Sequence, residues 1–72
     1  MRIKRPLLVM RVDTLWPPSW YAGQNAFGEP TVTSNRAYAW RFFQVEEARE
    51  IAKTLQAEIG GVWSIVDDRI KM

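Results

Sequence analysis

The stretch 42-FFQVEEAREIAKTLQAEIGGVWSIVD-67 decides how this chain folds. Ala48, Ile51, Ala52, Leu55 and Ile59 recur at helical spacing, while Arg49, Glu50, Lys53 and Gln56 take the opposite, wet side. The pattern predicts one amphipathic helix over about residues 44–59. Gln44 occupies the cap position, and Glu47 three residues later fits the second half of a capping box. Glu46 and Glu47 also complement the positive end of the helix dipole. Gly60-Gly61 offers a left-handed stop. Residues 62–66 then return as a strand, with Trp63 and Ile65 on one face and Val62, Ser64 and Val66 on the other.

Upstream of this unit the signals are those of strands and turns. Residues 7–12 read as a strand, with Leu8, Met10 and Val12 on one side and Leu7, Val9 and Arg11 on the other, and Pro6 suits its first position. Pro17-Pro18 cannot continue it, because neither residue has a backbone donor. Residues 20–25 resume as a second strand, with Trp20, Ala22 and Gln24 on one face and Tyr21, Gly23 and Asn25 on the other. Phe27-Gly28-Glu29-Pro30 is a turn and Thr31-Val32-Thr33 a short third strand. Ser34 and Asn35 are capping residues for a single helical turn at 36–39, and residues 40–43 lead into the main helix. One amphipathic helix must cover an apolar surface, and only a sheet is available. The expected fold class is therefore α+β: a small, mostly antiparallel sheet of three or four strands with the helix on one face. Residues 1–72 are read as a single domain, 1–5 as a flexible basic arm and 68–72 as a frayed tail.

A chain of 72 residues buries a marginal core, and without cysteine neither disulfides nor thiolate-bound metal reinforce it. Four tryptophans, two tyrosines and three phenylalanines are the natural compensation. Each fully buried tryptophan removes roughly 150–250 Å² from water, at most about 4–6 kcal/mol of gross burial. The tryptophans are thus the first residues expected in the core. The longest apolar run, Leu7 to Met10, is far too short to span a bilayer. The chain reads as soluble, unprocessed and cytoplasmic, with no membrane partner. Net charge is +2, and its distribution is uneven: Arg2, Lys4, Arg5 and Arg11 meet no acid in residues 1–12, whereas the helix carries four glutamates against Arg49 and Lys53.

Much chemistry is missing. There is no histidine, the usual general base near neutral pH and the commonest metal ligand. Ser19, Ser34 and Ser64 consequently have no partner for a catalytic triad. Gly60-Gly61 follows a helix instead of opening one, the wrong order for a phosphate-cradling loop. Adjacent carboxylates at Glu46-Glu47 and Asp67-Asp68 point apart in regular structure. The expectation is a non-enzymatic protein with no catalytic residue, metal or cofactor.

Binding is what remains. Trp16-Pro17-Pro18-Ser19-Trp20-Tyr21 gathers three large rings around a stiff Pro-Pro, and Trp and Tyr dominate interface hot spots. Trp16, Trp20 and Tyr21, with Arg11 beside them, are the candidate protein-binding residues. The more conservative reading places Trp20 or Tyr21 in the core and folds Trp16 over a sheet edge. A weak nucleic-acid binder using Arg2, Lys4, Arg5, Arg36 and Arg41 is the alternative; against it stand the low net charge, the acidic helix and the absence of any nucleic-acid motif. A homodimer formed by pairing bare strand edges is the third reading.

At Thr33-Ser34-Asn35, Ala39, Phe42 and Glu46-Glu47-Ala48 the chain resembles short hypothetical proteins of bacteriophages and prophages, which run T-S-D, A, F, E-E-A into one helix and then a strand. The resemblance covers roughly residues 31–66. Gln44 departs from the Ser or Thr usual at the cap. The resemblance implies a viral accessory protein acting in the host cytoplasm as an inhibitor. Some of that group block a host enzyme or defence complex, CRISPR machinery included, by occupying a functional surface. The pattern contains no functional residue to carry over.

Overall fold

A computed structural model describes residues 2–14 and 17–67, and the backbone alone for residues 2–5. Its organising element is the first strand, β1 (Arg2–Arg11). The other strands are β2 (Trp20–Gln24), β3 (Pro30–Thr33), β4 (Phe42–Gln44) and β5 (Trp63–Asp67); a 3₁₀ turn (Arg36–Tyr38) precedes β4, and α1 (Val45–Glu58) follows it. Leu7 pairs with both Asp67 and Phe42, and Met10 with both Ser64 and Trp20. One edge of β1 is therefore held by β5, and the other is shared lengthwise by β4 and β2. β3 extends the sheet beyond β2, and every pairing is antiparallel. Since β4 and β5 both oppose β1, they run parallel to each other. Parallel strands need a crossover connection, which α1 supplies.

The α+β class and the single packed helix agree with the sequence, and β4 raises the strand total to five. Three differences have physical causes. β1 starts at Arg2, so the backbone of residues 2–5 belongs to the strand and is not an arm ahead of it. Pro6 sits where the β1–β4 register shifts, between Arg2 and Leu7; a proline that cannot donate is tolerated at such an irregularity as well as at a strand's start. The Gln44 side chain makes no capping hydrogen bond, so the helix opens straight from β4 with Glu46 and Glu47 in its first turn. Ile59 falls after the last helical residue and is exposed, leaving Ala48, Ile51, Ala52 and Leu55 as the stripe that packs inward. Residues 68–72, expected to be a frayed tail, lie outside the described residues.

The core consists of Val9, Tyr21, Phe42, Ala48, Leu55 and Trp63, with Leu7, Ile51, Ala52 and Ile65 packed against it. Tyr21 and Phe42 stack with ring centroids 5.8 Å apart and planes inclined by 23°. Leu8, on the opposite side of β1 from Val9, is also fully buried, so both sides of this strand are shielded at its centre. The expectation of a tryptophan core holds for Trp63 alone among the described tryptophans, at 7% exposure; Trp20 is half-buried and Trp40 exposed. Trp63 is further fixed by its indole N–H, which donates to the Gly60 carbonyl at 2.9 Å. Composition indicated how much aromatic surface needed burial but not which rings would be buried.

Gly60 and Gly61 both adopt φ of +91°, which L side chains rarely adopt. Their surroundings differ. A Cβ on Gly60 would meet open space, whereas one on Gly61 would lie 2.7 Å from the Arg11 guanidinium carbon. We therefore expect Gly60→Ala to cost about 1 kcal/mol and Gly61→Ala up to about 3 kcal/mol, both by equilibrium denaturation. Repeating Gly61→Ala in an Arg11→Ala background should shrink the difference, because the guanidinium is then gone.

Candidate functional site

Of the four residues expected to form a protein-binding patch, the structure places Tyr21 in the core and Arg11 in an internal ion pair. Trp16 lies outside the described residues. Tyr21 is 4% exposed and belongs to the core, where burial pushes its phenol above the ordinary value. Trp20 pairs opposite Met10 and is half-buried. The Arg11 guanidinium is engaged within the chain, its Nε donating to Asp13 Oδ1 at 2.7 Å and its Nη2 to Oδ2 at 3.2 Å. Of the basic residues weighed for nucleic acid, Arg2, Lys4 and Arg5 lie in β1, where only the backbone is described. Arg36 is half-buried, and Arg41 Nη1 donates to the Ala39 carbonyl at 3.0 Å.

What the fold brings together instead is a groove beside the start of the helix. Its construction begins in β2. The register shifts between Tyr21 and Gly23, and Gly23 takes φ of +104°. Such a bulge breaks the strand's alternation. Gln24 consequently lines the same groove as Tyr21, although simple alternation put the two on opposite faces. Having no side chain, Gly23 lets the Trp40 ring lie against it: a Cβ there would sit 3.0 Å from Trp40 Cε3. A glycine within a strand often marks such a close approach.

Trp40 is held from its own segment as well. Its N–H donates to the Tyr21 carbonyl at 2.7 Å. Just before it, the Asn35 side chain accepts from Ala37 N–H at 2.9 Å, Tyr38 N–H donates to the Asn35 carbonyl, and Ala39 is buried. The backbone is thus pinned while its rings stay out: Tyr38 is 71% exposed and Trp40 53%. The groove encloses about 570 Å³ and is open to solvent. Tyr21, Phe42 and Ile51 give it an apolar floor, Trp40 contributes from the sheet side, and Glu46, Glu47 and Glu50 contribute from the first turns of α1. A space of this size is within the range of ligand sites.

The hairpin tip is a second, separate feature. Asn25 Oδ1 accepts from the N–H groups of Phe27 (2.9 Å) and Glu29 (3.0 Å), and its amide donates to Glu29 Oε1. The turn expected at this point is therefore locked, with Phe27 87% exposed. Among the described residues no group of three or more Asp, Glu, His or Cys is placed to hold a metal, and no helix is long and apolar enough to cross a membrane.

Asp13 supplies a pH prediction. The hydrogen bond from Arg11, and secondarily that from the Val62 backbone, holds its carboxyl down to about 2 from the ordinary 3.8. A folded-state value below the unfolded one adds stability above the unfolded pKa and loses it as pH falls through the folded one. The contribution is therefore fully present above about pH 4 and gone near pH 2. Asp13→Asn should flatten the acid limb of a melting-temperature profile across that window and leave the neutral-to-alkaline shape unchanged. Comparisons of this chain with protein-family models, with curated proteins and with solved structures give no match.

Proposed function

We propose that this is a non-catalytic binding protein that occupies a surface of a partner protein, with Trp40, Tyr38 and the adjoining groove as its contact face. The observation that carries this reading is the exposure of Trp40 and Tyr38 on a pinned backbone. A domain this small needs apolar burial, and an exposed indole leaves roughly half of its gain unused. Rigid aromatic side chains lose little conformational freedom on docking, which is why they dominate interface hot spots. The resemblance to bacteriophage and prophage accessory proteins spans residues 31–66 and therefore includes this segment. It adds that the partner is a host protein, such as an enzyme or a CRISPR or other defence complex, met in the host cytoplasm.

Capture from bacterial lysate with tagged protein, with and without nuclease and at low and high salt, tests the reading. We expect one stoichiometric protein partner that survives both treatments. Trp40→Ala should lower its affinity at least about tenfold, the scale of a hot spot. Trp40 also packs on Gly23, so Tyr38→Ala serves as the second variant, truncating a more exposed ring. Capture unaffected by either change, in variants with the wild-type far-ultraviolet spectrum, overturns the assignment of this face. Capture abolished by nuclease would transfer the function to Arg2, Lys4, Arg5, Arg36 and Arg41.

A further inference from the structure

The geometry points to a partner that inserts an arginine side chain into the groove between Trp40 and the first turns of α1; this rests on the protein-binding reading above. The argument is one of charge and shape complementarity. Among the described residues the groove is lined by aromatic rings, carboxylates, Gln24 and Ile51 and by no cation; Arg49 and Lys53, although on α1, do not line it. Among the described residues the side chains of Glu47 and Glu50 are paired with no cation. On a helix Glu50 neighbours Glu47 one turn before it, and like charges at this spacing cost a few tenths of a kcal/mol. A cation seated among them relieves that repulsion. The exposed Trp40 indole supplies the side-chain face that best attracts a cation. The guanidinium is the group that uses both halves of the site: its plane stacks on an indole while its edge donates two parallel hydrogen bonds to a carboxylate. The Phe42 and Ile51 surface beneath accommodates the methylene stem.

The test uses the whole protein, labelled with ¹⁵N, and a short glycine peptide bearing two arginines, beside the same peptide with citrulline, which keeps the shape and removes the charge. The expected result is movement of the Trp40 indole N–H and of the amides of residues 46–51, with the citrulline peptide at least about fivefold weaker. Glu47→Gln with Glu50→Gln should weaken arginine-peptide binding about three- to tenfold, while Glu58→Gln, at the far end of the helix, leaves it unchanged. Both double-variant positions are exposed, so folding is preserved and serves as its own check in the spectrum. Equal shifts with arginine and citrulline, shifts scattered away from Trp40, or none at millimolar peptide overturn the inference. Should Trp40→Ala abolish capture of a cellular partner while the double glutamine variant captures it normally, the arginine assignment fails and the binding reading stands. Should neither change matter, both fall.

Discussion

The structure depends on a single strand that takes partners on both of its edges. At Leu7 and Met10 β1 is hydrogen-bonded on both sides at once, and with Leu8 and Val9 both fully buried it is shielded above and below as well. Everything else follows from satisfying those neighbours. β4 and β5 must both oppose β1, so they lie parallel with β1 between them, and only a helix can carry the chain across. That crossing places Ala48 and Leu55 over Val9 and Trp63, and it leaves β2 and β3 to extend the sheet past the helix. The groove is the step where the helix stops covering the sheet.

How much of this could be read beforehand depends on the range of the determining interactions. The helix, its glycine stop and the returning strand were legible because their signals are local: the spacing from Ala48 to Leu55, the left-handed need of Gly60 and Gly61, the alternation around Trp63. The turn at Phe27 and the cap at Asn35 were legible for the same reason, since each side chain bonds to backbone only a few residues away. The start of β1 was hidden by Pro6, whose rule allows either a strand's beginning or a bulge within it; only the pairing partner decides. The faces of β2 were hidden by the shift at Gly23, which simple alternation cannot anticipate.

The candidate site was the least legible part, because it is assembled from β2 and from the separate segment that runs from Trp40 through β4 into α1. Trp16, Trp20 and Tyr21 drew attention through sequence clustering, yet clustering along a strand distributes rings between opposite faces, and Tyr21 was drawn into the core by Phe42. Trp40 was read as part of the lead-in to the helix and not among the protein-binding residues. One clue was available: a glycine within a strand often marks a bulge or a close approach, and at Gly23 it is Trp40 that approaches. Trp40 and the glutamates are near in the chain, but that they line one groove depends on how α1 turns back over the sheet after β4.

The pairing of β1 with β5 also sets the timing of folding during synthesis. The β2–β3 hairpin, with its Asn25-bonded turn, can form within microseconds of emerging, since its partners are adjacent in the chain. β1 leaves the ribosome first but waits for residue 67 before its second edge is covered, which takes several seconds at about 5–20 residues per second. Throughout that interval Leu7, Leu8 and Val9 present at least one uncovered apolar strand edge to the crowded surroundings of the nascent chain. Completion of this domain therefore waits for β5 to emerge, and the strand that organises the finished fold is, until then, the segment in greatest need of a chaperone.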